Sequence, residues 1–380
     1  MGILKKLQEE FAGLEAGAKH KGYWYTIGDT LTVLVCGLFC GLKEIGEIQD
    51  WAKSEPTKKF LNEQFGIERI LCRAQFYNIL GYVDAERFKE AFIRWMKKLM
   101  QGCMAGKTVA IDGKTICSTD KLTPDGSVLH IASAIVSECR LVIGSHECGT
   151  KTGEITAFRE LIDMLDVTGA VVVADALHCN PKSAKAVIEA KGDYLFVVKE
   201  NQSSLKADIE LFLRNETVAS YSTKEKNAGR IETRTAYTTH NINWLDNKEK
   251  WLNLSCIGAI HRVFEKDGKK TDEWHYYISS AKLSPKELLN HARMEWAVES
   301  MHWLLDVHYK EDKTRVWDMN VQKLLNSARK IALNMIRMFK DNNRTPRTPL
   351  SGVMRENLFD RTKLALFLDY FRSVGDVDVN

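Results

Sequence analysis

The chain of 380 residues is too long for one minimal core, so one to three domains are expected. With 44% apolar residues, 27% charged residues and only 6 prolines, low-complexity disorder is excluded over most of its length. The net charge of +4 is a weak signal, but residues 313–372 carry 13 Lys and Arg against 5 Asp and Glu, a balance suited to a polyanion or to a solvated helical face.

The longest apolar stretch, Leu31 to Leu42, is too short to cross a bilayer, which takes about 20 residues. Met1-Gly2 does not begin a myristoylation signal, because Lys6 stands where Ser or Thr is required. Nine cysteines form no Cys-x-x-Cys pair, and an odd number without a secretory signal points to a reducing compartment, the cytoplasm.

Residues 1–102 read as a helical segment, a structural, dimerising or DNA-binding module. Asp29 or Thr30 is the expected N-cap of a buried helix through Leu38, and Ala85 to Met100 forms a second amphipathic helix. The period changes at Lys107. Strands are expected at 107–113, 131–136, 141–144, 169–175 and 193–199, with helices at 154–165, 181–191 and 201–214. This is an α/β pattern, a mixed sheet with flanking helices over 103–217. Residues 218–283 turn to β alternation and read as an insertion, with a hairpin turn at Lys266-Asp-Gly-Lys269. Over 284–345, Ser284-Pro285-Lys-Glu287 opens one long helix to about Val307, and Gln322 to Phe339 forms another. A tail follows at 346–380, with a last helical piece from Lys363 to Tyr370.

Two apolar strands each deliver one aspartate near their ends, Asp112 and Asp175. Adjacent strands bring such positions to within about 5 Å. Two carboxylates that close call for a cation, and Mg2+ or Mn2+ suits oxygen ligands while leaving positions for water and phosphate. The third acid is expected to be Glu299, on the long helix with Glu295, Trp303 and Asp306 near the same face and with partial burial among Trp296, Val298 and Trp303. Such a site does phosphoryl transfer and needs no side-chain nucleophile. Gly144-Ser-His-Glu-Cys-Gly149 has P-loop glycine spacing, but Thr150 replaces the lysine. A zinc site from His146, Cys148, His178 and Cys179 matches no common ligand spacing. His178 is either a satisfied loop histidine or a phosphate contact.

Several motifs occur in order: Ala110-Ile-Asp-Gly-Lys114, Val173-Ala-Asp-Ala-Leu-His178, Val198-Lys-Glu-Asn-Gln202, Gly229-Arg-Ile-Glu-Thr-Arg234, Trp296-Ala-Val-Glu-Ser-Met-His-Trp303, then Asp306, Glu311-Asp312 and Asn326-Ser-Ala-Arg-Lys330. Together they make the chain resemble, over almost its whole length, the H-repeat-associated transposases of the ISAs group of bacterial insertion sequences. The resemblance implies a ribonuclease-H-like core with a DDE triad of Asp112, Asp175 and Glu299 and a β-strand insertion before the Glu. It also implies Mg2+, or Mn2+, as cofactor and double-stranded DNA as partner, both the element's terminal inverted repeats and the target. A homodimer is expected, since two ends must be brought together, working in the bacterial cytoplasm at the nucleoid. Lys114, Lys199, Asn201, Gln202, Arg230, Arg234, Arg315 and Lys323 are the expected DNA contacts. The chain departs from the family pattern at Glu295, where His is usual, and at Ser300, where Asn is usual. A catalytically silent DNA-binding relative and a ribonuclease-H-like nuclease without strand transfer are the alternatives.

Overall fold

A computed structural model describes residues 2–12, 14, 26–117, 128–149, 153–227, 230–266 and 269–374. Up to Met100 these are helical: α1 (Ile3–Ala12), α2 (Ile27–Phe39), α3 (Ile45–Lys53), α4 (Glu55–Phe65), α5 (Arg73–Tyr82) and α6 (Ala85–Met100). In α6, the Asp84 carboxylate accepts bonds from the N–H groups of Glu86 and Arg87, closing the helix start. Phe88, Phe92, Trp95, Met96 and Leu99 then recur at helical spacing and are buried. The start of α2 differs from the expectation. Thr26, not Asp29 or Thr30, is the N-cap, its hydroxyl accepting from the Asp29 N–H at 2.9 Å. Asp29 falls inside the first turn, where its charge meets the positive end of the helix.

From Thr108 the chain builds β1 (Thr108–Ile116), β2 (Leu129–Val136), β3 (Leu141–Glu147), α7 (Glu154–Met164), β4 (Val171–Ala174), α8 (Pro181–Glu189), β5 (Asp193–Val198) and α9 (Ser203–Asn215). Four long strands follow, β6 (Ala219–Asn227), β7 (Arg230–Thr239), β8 (Cys256–Lys266) and β9 (Lys269–Ser279). All nine strands form one sheet in the order β3-β2-β1-β4-β5-β9-β8-β7-β6. β1, β4 and β5 run parallel, and the remaining neighbours are antiparallel. The segment read as an insertion therefore extends the same sheet, with Leu195 of β5 opposite Ser279 of β9. Asp267 and Gly268 of the expected hairpin turn lie outside the described residues, as do Gly229, Thr150 and Lys151. Gly144 to Glu147 belong to β3, a strand rather than a phosphate loop.

The single long helix expected from Ser284 is two helices, α10 (Pro285–Met294) and α11 (Trp296–Tyr309), which meet at Glu295. The capping box of Ser284 and Glu287 is present. The break needs no proline: the Val298 N–H bonds back to the Glu295 carbonyl at 3.3 Å, a turn tightened by one residue. Next, α12 (Met319–Asn343) is buried from Val321 to Phe339 except at Lys323. It packs against α2, α5, α6, α11 and β3, and against α13 (Leu350–Phe359), a helix the sequence did not signal; α14 (Arg361–Ser373) ends the described chain. Helices from both ends of the sequence thus share one apolar core with the sheet.

That packing changes the meaning of the basic tail. Arg329, Lys330 and Arg337 are buried in α12. Arg344 pairs with Glu356 at 2.6 Å, Arg361 lies over the Trp51 ring at 5.2 Å, and Arg372 pairs with Asp369 at 2.8 Å. Much of the positive charge over 313–372 holds helices together instead of facing a polyanion. Among the described residues, no helix is long and apolar enough to cross a membrane.

Candidate active site

β1 and β4 are parallel neighbours, and Ile111 opposite Ala174 is their last registered pair. The next residues are Asp112 and Asp175, so the two aspartates stand side by side where the pairing of β1 with β4 ends. Asp112 remains within β1. Asp175 lies just past β4 and caps a short 3-10 turn over 176–178, its carboxylate accepting from the Leu177 N–H at 3.0 Å. Helix α11 packs against β1 and carries Glu299 in its first turn.

Mutual repulsion marks which acids share this corner. Burial, opposed by a bond from the Gly113 N–H and reinforced by the charges of Asp175, Glu154 and Glu299, holds the Asp112 carboxyl up at about 6. Burial pushes Glu295 up to about 7, with Asp175 adding, Lys199 opposing, and Asp112 and Glu299 adding again. Two expectations are corrected. Glu299 is exposed, as are Trp296 and Trp303, and the half-buried acid is Glu295. Asp306 does not share the site, because it turns to Lys114 at 2.6 Å. His302, one turn beyond Glu299, sets its Nδ1 3.7 Å from Asp112 Oδ2. Burial and the cations Lys330 and Lys114 push this imidazole down to about 3, so it stays neutral.

Sequence reasoning misses Glu154, the first residue of α7. Its Oε2 accepts from His130 Nε2 at 2.9 Å and its Oε1 faces His178 Nε2 at 3.4 Å. These partners hold the Glu154 carboxyl at about 2, against an ordinary 4.5. Its pKa is depressed on folding, so the stabilisation is fully present above pH 4.5 and is lost as pH falls towards 2. The difference corresponds to at most about 3 kcal/mol. Glu154→Gln is expected to lower the urea midpoint at pH 6 and to approach wild type between pH 4 and 3. A constant gap across that range would show that the charge is not what stabilises. His178 is a packed histidine, stacked on Phe158 at 4.5 Å and shielded from solvent.

The eight expected DNA contacts divide. Lys199 and Arg315 are exposed, and Arg230 is half-exposed over the Phe264 ring at 4.8 Å. Lys323 lies 3.6 Å from Glu86. Lys114 is nearly buried and committed to Asp306, Glu311 and Asp312 at 2.6, 3.5 and 3.4 Å. Arg234 is committed to Glu232 and Glu225 at 2.7 and 3.1 Å. Desolvated pairs of this kind do not release a cation to a duplex cheaply. Asn201 and Gln202 bind backbone, donating to the carbonyls of Ala176 and Cys179 at 2.5 and 2.9 Å. They fix the turn that follows Asp175. A groove of about 600 Å³ lined by Ala176, Leu177, Asn180, Lys199 and Asn201 adjoins that turn.

Beneath Asp112 lies a buried polar network. Ser133 sits opposite Asp112 on β2 and accepts from Lys330 Nζ at 3.0 Å. Lys330 also donates to Asn326 at 2.7 Å, and Asn326 donates to Glu311 at 2.9 Å. Burial brings Lys330 down to about 8, with Glu311 the largest opposing charge. Glu311, Asn326 and Lys330 of the late sequence motifs are therefore the floor of the site.

Among the described residues no three histidine, cysteine or carboxylate side chains gather tightly enough to make a finished metal cage. The donor set nonetheless suits a hard divalent cation: oxygen ligands only, with Asp112 and Glu295 short of counter-charge. Zinc is not supported. Burial pushes the Cys148 and Cys179 thiols up to about 12, and His146 is taken by Lys89 and Glu160 at 3.1 and 2.9 Å.

Residues 109–335 match the family model described as the transposase DDE domain. YhhI of Escherichia coli (strain K12), whose name places it among the H repeat-associated transposases, is 32% identical over 381 residues, covering 96% of this chain and 98% of its own. YncI of Escherichia coli O157:H7, also carrying a transposase name, is 33% identical over 341 residues, covering 85% and 84%. The piggyBac transposase synaptic complex with hairpin DNA aligns with 99% of this chain and 80% of its own at 12% identity and a TM-score of 0.45, too distant a likeness to build on. The match spans the strands that deliver both aspartates and the helix that bears Glu299, and the chain belongs to the DDE transposases, in their H repeat-associated group.

Proposed function

We propose that this transposase cleaves the ends of an insertion sequence and joins the freed 3′-hydroxyl to target DNA, with Asp112, Asp175 and Glu299 holding two divalent cations. The observation that carries the reading is the pair of aspartates just beyond the last paired residues of two adjacent parallel strands, beside the helix of Glu299. The order β3-β2-β1-β4-β5, with β2 antiparallel, supports a ribonuclease-H-like core. The segment divisions at 102, 217, 283 and 345 belong to the same reading, with the first segment as an end-binding or dimerising module. Mg2+, or Mn2+, when bound would polarise the scissile phosphate and activate water or the 3′-hydroxyl.

The chain's own residues do the rest. Asn201 and Gln202 hold the Asp175 turn. The neutral His302 packs beside Asp112 without adding a competing positive charge. Lys199 and Arg315 face solvent and meet phosphates, a contribution that falls with salt. Arg230 and Lys323 are weaker candidates for the same role, because each has an acid within 4 Å. A homodimer would bring two terminal inverted repeats together at the bacterial nucleoid.

The test incubates the protein and Mg2+ with a duplex carrying the element's terminal repeats and a target duplex. Joined strands are the expected product. Hydrolysed ends without joining would make the protein a nuclease, and binding without cutting would make it a silent relative.

A further inference from the structure

We propose that Glu154 is a positioning residue for the two aspartates, a clamp that sets the separation of Asp112 and Asp175 and so the affinity of their divalent cation. This rests on the reading of Asp112 and Asp175 as metal-binding residues.

Glu154 touches the site from both strands. On the β1 side its carboxylate lies against Gly113, the residue after Asp112. A Cβ added to Gly113 would come within 2.6 Å of Glu154 Cδ. Only glycine lets the carboxylate seat there. On the β4 side it holds His178, three residues after Asp175 and at the end of the turn that Asp175 caps.

Each imidazole is fixed in turn. Thr115, opposite His130 across β1 and β2, donates its hydroxyl to His130 Nδ1 at 2.7 Å, leaving Nε2–H for Glu154. His178 lies against Phe158, four residues after Glu154 on α7. Both carboxylate oxygens thus face histidine nitrogens, one reached from β2 and the other from the turn after β4. Asn201 and Gln202 pin that turn independently, through Ala176 and Cys179. With each of its oxygens facing a histidine nitrogen, Glu154 is a support and not a ligand.

Partners of this kind behind a metal site change affinity by about 10–100-fold when removed. The experiment is a Mn2+ titration followed by electron paramagnetic resonance, on wild type, Glu154→Gln, Gly113→Ala, Asp112→Asn and Asp175→Asn. Circular dichroism at the titration temperature confirms folding. Glu154→Gln is expected to weaken Mn2+ at least tenfold while remaining folded. Gly113→Ala, which displaces the carboxylate without deleting it, should weaken Mn2+ in the same direction. It keeps the test open if the Gln variant unfolds. Unchanged Mn2+ affinity in a folded Glu154→Gln or Gly113→Ala protein overturns the proposal. If Asp112→Asn and Asp175→Asn also bind Mn2+ like wild type, the metal-site reading itself fails, a separate result.

Discussion

Asp112→Asn and Asp175→Asn are each expected to reduce strand cleavage on an element-end duplex by about 10³-fold or more, a barrier increase of about 4 kcal/mol. Asparagine keeps the shape of the side chain and removes its charge. Catalysis of phosphoryl transfer is chiefly positioning and charge stabilisation, so one lost anionic ligand removes much of it. DNA affinity should hold or rise slightly, because an acid beside a phosphate repels it. That split, cutting lost and binding kept, is what a gel-shift and a cleavage assay on the same duplex would read. Asp175 is the more informative position. Its carboxylate also caps a turn through the Leu177 N–H, and asparagine retains that acceptor. Loss of cutting in Asp175→Asn therefore cannot be assigned to a lost cap. Intact cutting in either variant would remove that aspartate from the triad.

The largest stability effect is expected at Glu311, the end of the buried network that reaches Ser133 through Asn326 and Lys330. Glu311 is buried, accepts from Asn326, and is the foremost opposing charge for Lys114, Arg329 and Lys330. Glu311→Ala strands Arg329 and Lys330 in a low-dielectric interior, while Lys114 keeps Asp306 and Asp312. Removing one partner of a buried pair costs about 3–5 kcal/mol, and here two buried cations depend on one acid. The urea midpoint should fall accordingly. Asp312→Asn should cost far less, since Asp312 is partly exposed and Lys114 keeps Asp306 and Glu311. Equal effects at the two positions would mean that the network contributes no more than surface pairing does.

Much of the sheet was legible in the sequence. Short apolar runs with turn residues between them mark β1 to β5, and each of the two aspartates sits where such a run ends. The capping box at Ser284 and Glu287 places the start of α10 to the residue. The failures share a cause: they depend on which distant residue faces which. Lys114 follows a candidate metal ligand by two residues and reads as a phosphate contact, yet acids 192 and 197 residues away claim it. Charge counting finds a basic tail, but it cannot tell that Lys330 faces Ser133 across the core. Nothing around Glu295 signals a helix break, because neither Gly nor Pro is present, and the break decides which acid is buried. Glu154 had one trace in the sequence, the glycine at 113, and its meaning appears only when α7 is seen packed over that glycine.

The proposed coordination of the cation by Glu299 with Asp112 and Asp175 is open to anomalous scattering from Mn2+-soaked crystals. The expected result is manganese between Asp112 and Asp175 with the Glu299 carboxylate in its coordination shell. Manganese held by Asp175 and Glu295, with Glu299 left in solvent, would contradict it.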